Sequence, residues 1–170
     1  MSKKNSVKIE NGMINFSCRK HLCQSSCCGP FSGIASDLTN IDNRPFEEIV
    51  LTQEDYRKIY SAGCIDLVEE AVSQQTGKKY YKMSLEPDGS CRALSNGLCT
   101  INNIKPTLCQ AFPFYFDMFS GLCAIDCEGF SDDYWMDLSN CHYAFVAAKK
   151  MYEFWIDFYS EGFINDDEPK

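Results

Sequence analysis

Cysteine is the residue type through which this sequence could do chemistry, because 11 of its 170 residues are cysteines. Three of them, Cys91, Cys99 and Cys109, lie in the short stretch 91–114, CRALSNGLCTINNIKPTLCQAFPF. Thiolates are soft ligands, and sets of four suit zinc or an iron–sulfur cluster. Three cysteines within one short stretch therefore predict a metal site.

A second cysteine group lies near the N-terminus, in the stretch 16–31, FSCRKHLCQSSCCGPF. Cys18, Cys23, Cys27 and Cys28 are close together there, separated by residues that let the backbone curl round an ion. Because neighbouring side chains diverge, the adjacent Cys27 and Cys28 fit two sites, or one multi-iron cluster, more easily than a single ion. His21 is interpreted as a solvated loop residue rather than a ligand.

The remaining cysteines carry weaker signals. Cys123 and Cys127, which are followed by Gly129, could complete a metal site or pack at its rim. Cys64 lacks cysteine neighbours and is interpreted as a core or loop residue, since an isolated cysteine packs as a small apolar side chain. Cys141 lies in the first turn of the last predicted helix, where it could be an extra ligand but is interpreted as a structural residue.

An aromatic run lies between Cys109 and Cys123. Its side chains would keep water away from a nearby cluster, or they form ordinary core. The run consists of Phe112, Phe114, Tyr115, Phe116 and Phe119.

Composition and charge limit the class of protein. Hydrophobic residues make up 45% of the chain, enough for the core of one domain. The first residues lack the apolar centre of a secretory signal, and no apolar run is long enough to span a bilayer. We therefore expect a cytoplasmic protein without a membrane partner, whose reduced thiols are available to metal. A net charge of -8 disfavours nucleic acid as a partner. A protein partner is compatible with this charge, but the sequence does not identify it.

The elements expected to position the cysteines define an α+β fold. It has a small antiparallel sheet near residues 79–102, about three main helices and cysteine-rich metal-binding loops. The turn signal Ser95-Asn96-Gly97 predicts a hairpin that brings Cys91 and Cys99 towards each other. A further turn is predicted at 87–89, and a strand over 79–85.

The main helices are predicted over 53–62, 65–75 and 139–159 from their apolar spacing. Thr52 and Asp55 give the first helix a capping box, and Gly63 ends it. Pro106 favours the start of a further short helix with Cys109 in its first turn. Residues 1–15 are expected to be loosely held, and the segment 31–46 to be irregular.

Four stretches, in order, carry a resemblance to a known family. They are Cys-x4-Cys-x3-Cys-Cys, then IVLTQEDYRKI, then CRALSNGLCTINNIKPTLCQAFPF, then DCEGF. In this order the chain resembles the YkgJ-type cysteine-cluster family, a zinc- or iron-chelating domain, and is distantly similar to the cysteine-rich domain of flagellin lysine methylases. The resemblance covers a family-like core over 16–130. The length of the chain fits one domain over 1–170, with a C-terminal helix within 131–163 and an acidic tail at 164–170. The ligands that it implies are Cys18, Cys23, Cys27, Cys28, Cys91, Cys99, Cys109 and Cys127.

Three functional hypotheses follow. The leading one is an intracellular metal-binding protein that holds an iron–sulfur cluster, or alternatively zinc, through up to eight cysteine thiolates. The second is an S-adenosylmethionine-dependent methyltransferase-like enzyme or its accessory subunit, which is supported by the resemblance alone. The third is a thiol oxidoreductase, but this sequence lacks the Cys-x2-Cys signature that is usual in that class.

Overall fold

The computed structural model describes residues 7–18, 28–30, 47–125 and 127–160. The predictions for His21, Cys23 and Cys27, for the segment 31–46 and for the tail 164–170 lie outside these residues. The strands are β1 (Ile9–Glu10), β2 (Met13–Ile14), β3 (Val50–Leu51), β4 (Val68–Val72), β5 (Lys79–Met83), β6 (Leu94–Ser95), β7 (Leu98–Cys99), β8 (Phe114–Asp117), β9 (Gly121–Ala124) and β10 (Met136–Asp137). The α-helices are α1 (Gln53–Ser61), α2 (Thr107–Ala111) and α3 (His142–Tyr159).

The predicted α+β class is confirmed, with small sheets and three α-helices in the described ranges. The sheets have the strand orders β1-β2-β10, β3-β5-β4, β6-β7 and β8-β9, and each described pairing is antiparallel. The single sheet expected near 79–102 is divided, because β5 belongs to a three-stranded sheet while β6 and β7 form their own hairpin. An isolated bridge between Leu85 and Cys91 connects the two parts.

Helix α1 begins at the predicted capping box. The backbone N–H of Asp55 donates to Thr52 Oγ1 at 3.1 Å, and the N–H of Thr52 donates to Asp55 Oδ2 at 3.0 Å. Ala62 is its C-cap, and the N–H of Gly63 donates to the Tyr60 carbonyl at 2.9 Å. The local signals therefore predicted both ends of this helix correctly, to within one residue.

The helix predicted over 65–75 is wrong. A 3-10 turn (Ile65–Leu67) leads instead into strand β4, which pairs along its whole length with β5. Glu69 lies opposite Lys82 and forms an ion pair with it at 3.2 Å, and Glu70 pairs with Lys79 at 2.9 Å. Partners on the next strand therefore override a short apolar spacing that fits a helix equally well.

The N-terminal residues from Ile9 onwards are also better ordered than predicted. Strands β1 and β2 form a hairpin, and β10 pairs with the other side of β2. Ile14 and Asn15 are buried as a result. The expectation of a loosely held segment is wrong here, because the stabilising partner, β10, is distant in sequence and leaves no local signal.

Seven of the nine described cysteines belong to one of two apolar cores or pack against one. We call the first the α1 core; it consists of Ile49, Leu51, Ile59, Met83, Cys91, Ala93 and Ile101. We call the second the α3 core; it consists of Ile14, Phe16, Ala111, Phe114, Cys127, Phe130, Cys141, Ala144, Ala147 and Ala148. A third cluster, of Val50, Tyr80 and Phe158, lies against the C-terminal half of α3. None of the helices in the described ranges is both long enough and apolar enough to cross a membrane.

Candidate metal centre

The N-terminal cysteine segment reaches the 91–114 stretch at Cys28. The backbone N–H of Cys91 donates to the carbonyl of Cys28 at 2.7 Å. Cys91 is part of the α1 core, and Cys28 packs against that core. Two cysteines far apart in sequence are thus adjacent, which is the convergence expected of a site built from both segments.

Gly29 allows the segment that carries Cys28 to lie close to the backbone of Gly89 and Ser90. Its φ is +92°, and a Cβ atom built there would lie 2.7 Å from the Gly89 carbonyl oxygen and 2.8 Å from Ser90 Cα. The predicted turn at 87–89 is present, with the N–H of Gly89 donating to the Glu86 carbonyl at 2.8 Å. Because both neighbours are backbone atoms, only glycine lets the Cys28 segment lie directly on this turn.

Cys99 and Cys109 reach the α1 core from the two elements that the sequence predicted. Cys99 lies on β7, after a turn in which Asn96 and Gly97 both have positive φ, and Cys109 is the third residue of α2. Both side chains are half-buried and pack against the α1 core. Four predicted ligands, Cys28, Cys91, Cys99 and Cys109, therefore share one apolar environment.

Cys64 packs against the same core, at the end of α1. This place in the fold fits its interpretation as a core or loop residue. Its proximity to the predicted ligands has no sequence signal, since it is isolated from the other cysteines along the chain.

A second meeting of distant segments involves Cys127 and the residues before Cys18. Phe16 forms an antiparallel bridge with Phe130, and the N–H of Ser17 donates to the Gly129 carbonyl at 2.8 Å. Cys127 is buried in the α3 core, whereas Cys18 is exposed, two residues after Phe16. The structure therefore places Cys127 in a different core from Cys91 and leaves Cys18 exposed.

Gly129 contributes in two ways to the close contact between the Phe16–Ser17 segment and the segment that carries Cys127. Its backbone N–H donates to Cys127 Sγ at 3.4 Å. A Cβ atom on Gly129 would lie 2.6 Å from Phe16 Cε2 and 2.8 Å from the Ser17 carbonyl oxygen. Any side chain at this position would therefore push the segment that carries Cys18 away from Cys127.

The two remaining cysteines outside the implied ligand set occupy different surroundings. Cys141 is buried in the α3 core with its Sγ 4.0 Å from Met136 Sδ, and burial raises the pKa of its thiol. The neutral thiol is thus favoured, which agrees with the structural role expected for Cys141. Cys123 is half-buried on β9, directly opposite Tyr115.

The aromatic run is divided by the β8–β9 hairpin. Phe114 is buried, with its ring centroid 5.4 Å from that of Phe16 and 6.0 Å from that of Phe130. These rings belong to the same α3 core as Cys127. Phe119, by contrast, is 93% exposed at the hairpin tip, so the expectation that it shields a cluster from water is wrong.

Within the described ranges, no three His, Cys, Asp or Glu side chains are grouped closely enough to hold a metal ion. Cys23 and Cys27 lie outside those ranges. The structure thus places Cys91 in the α1 core, with Cys28, Cys99 and Cys109 packed against it, and Cys127 in the α3 core. Cys18 is exposed, and ligation by any of these cysteines stays a prediction.

No protein-family model matches the chain, and neither a curated protein nor a solved structure matches it significantly. The resemblance to the YkgJ-type family therefore stays a prediction as well.

Proposed function

We propose that this chain is an intracellular metal-binding protein that holds an iron–sulfur cluster or zinc through cysteine thiolates. The observation that supports the proposal most strongly is the backbone hydrogen bond between Cys91 and Cys28. It joins two segments that are each rich in cysteine, and Cys99 and Cys109 pack against the same core. A metal would tie these loops together and contribute directly to folding.

The chemistry of the donors fits such a group. A thiolate in an apolar setting is stabilised by nearby N–H donors, and hydrogen bonds to sulfur are among the features that tune iron–sulfur centres. Cys127 has this arrangement, with a buried side chain and the Gly129 N–H directed at its sulfur.

Two sites follow from the two cores. In this proposal Cys28, Cys91, Cys99 and Cys109 would supply four thiolates at the α1 core, and metal binding would draw their sulfurs closer together than they lie in the structure. Cys18 and Cys127 would form part of a second set, which Cys23 and Cys27 would complete. Four thiolates suffice for either zinc or an iron–sulfur cluster.

We favour iron–sulfur over zinc for two reasons. The implied set is all cysteine, and buried aromatic rings share the α3 core with Cys127. A bound cluster would supply electron transfer or storage, whereas zinc would supply a structural cross-link. A cytoplasmic location, where thiols stay reduced, is part of this proposal.

Metal and acid-labile sulfide analysis of protein purified anaerobically from iron-supplemented cells tests the proposal. We expect a brown protein with iron and sulfide.

Cys91→Ser should lose about half of the metal or more, since it disables one of two sites. Cys141→Ser is the matched control, because both cysteines are buried but only Cys91 is an implied ligand. Equal metal content in the two variants would refute the ligand assignment, and a metal-free wild-type protein would refute the function.

A further inference from the structure

Helix α2 carries Cys109 but is too short to hold its own position. It has five residues, Thr107–Ala111, and an isolated helix of that length is unstable in water. Its N-cap is Pro106, whose side chain has no oxygen with which to accept a hydrogen bond from the first turn. The cap that α2 needs must come from another element.

Asp55 of α1 supplies that cap. Its Oδ1 accepts hydrogen bonds from the backbone N–H of Thr107 at 3.0 Å and from Thr107 Oγ1 at 2.8 Å. Its Oδ2 accepts from the N–H of Thr52 at 3.0 Å and from Thr52 Oγ1 at 2.8 Å. The side chain is satisfied on both oxygens although the residue is only 1% exposed.

We propose that Asp55 is a positioning residue that fixes the start of α2, and through it Cys109, against the α1 core. One carboxylate oxygen caps its own helix and the other caps the short helix two residues before the cysteine. For its effect on metal binding, the inference rests on the proposed function; for the placement of Cys109, it does not.

A carboxylate suits this position better than its closest isostere. The N–H groups of Thr52 and Thr107 are obligate donors, so both side-chain oxygens must accept. An asparagine in place of Asp55 would turn an NH2 group towards one of the two N–H groups, and that buried donor would then lack a partner. Asp55→Asn therefore keeps the shape of the side chain and removes its double cap.

The first test measures how well α2 is held, without metal. Chelator-treated protein is given short pulses of iodoacetamide, and the labelling of each cysteine is read by mass spectrometry. We expect Asp55→Asn to label Cys109 about tenfold faster than wild type, as local opening of α2 becomes easier. Cys123 on the β8–β9 hairpin should label at an unchanged rate.

Two control variants separate positioning from general destabilisation. Thr52→Ala weakens the α1 cap but leaves both Thr107 bonds, so Cys109 labelling should stay within about twofold of wild type. Phe158→Leu destabilises the third cluster, which includes no residue of α1 or α2. If either control speeds Cys109 labelling as much as Asp55→Asn does, or if Asp55→Asn changes nothing, the inference is overturned. Should Asp55→Asn fail to fold, Thr107→Val, which removes only the hydroxyl donor on the α2 side, takes its place.

The second test reads metal binding by chelator competition with zinc as the probe. We expect Asp55→Asn to weaken zinc binding about tenfold, and Thr52→Ala to leave it unchanged. Equal affinities in the two variants would overturn the link to the metal. A wild-type protein that binds no metal would refute the proposed function, while the labelling comparison would still decide the role of Asp55.

Discussion

Cys109 and Cys64 form a matched pair at the scale of single residues. Both are half-buried and both pack against the α1 core, but only Cys109 is an implied ligand. Replacing either sulfur by oxygen removes a similar amount of apolar packing. Any large difference between the two variants would therefore come from the metal rather than from the core.

We predict that Cys109→Ser melts far below Cys64→Ser when both proteins carry metal. Loss of one ligand should cost about 3 kcal/mol or more, which corresponds to roughly 6–12 °C in a chain of this size. Differential scanning fluorimetry would measure the difference. After chelation the two variants should melt at nearly the same temperature, and equal melting of the loaded proteins would count against Cys109 as a ligand.

At the scale of elements, Gly29 and Gly77 test how closely the Cys28 segment must lie on its neighbour. Both residues have positive φ, but the space around Gly77 is open, whereas a Cβ on Gly29 would meet the backbone of Gly89 and Ser90. Gly77→Ala should cost about 1 kcal/mol, the conformational penalty alone. Gly29→Ala should cost about 2–4 kcal/mol and reduce the metal content, because it also forces the two segments apart.

Urea unfolding and metal analysis of both glycine variants would provide these values. If Gly29→Ala is no more destabilising than Gly77→Ala, the approach of Cys28 to Cys91 is not as tight as the structure describes.

Elements whose signals are local were predictable from the sequence, and elements held by distant partners were not. The capping box at Thr52 and Asp55 and the turn at Asn96-Gly97 are encoded by adjacent residues, and both are present. The sequence of β4 fits a helix as well as a strand. Its pairing with β5, which includes the ion pairs of Glu69 and Glu70, makes it a strand. The same reason explains why β1, β2 and their pairing with β10 could not be predicted.

In the candidate site, too, some features could be expected from the sequence and others depend on contacts between distant residues. The ligand set implied by the family resemblance includes both Cys28 and Cys91, and the backbone N–H of Cys91 donates to the Cys28 carbonyl. No local pattern showed that Asp55, which the capping motif assigns to α1, also holds Thr107 at the start of α2. Such a bond depends on how two helices are packed, which a capping motif does not encode.

For the molecule as a whole, the proposed function requires cysteines from distant segments to share a metal. All described strand pairings are antiparallel, and the described part of the fold consists of small sheets and three α-helices around two main cores and a third, smaller cluster. A metal that bridges these loops would stabilise the whole molecule, since it binds the folded chain and not the unfolded one. Nothing in the described residues favours the methyltransferase-like alternative over this binding role.

X-ray absorption spectroscopy of the anaerobically purified protein, at the edge of whichever metal is present, would show directly whether cysteines bind it. We predict iron or zinc surrounded by about four sulfur atoms, at roughly 2.3 Å if the metal is zinc. The sulfur signal should fall in Cys91→Ser and persist in Cys141→Ser. A metal surrounded only by nitrogen and oxygen, or a protein with no bound metal, would contradict the proposed function.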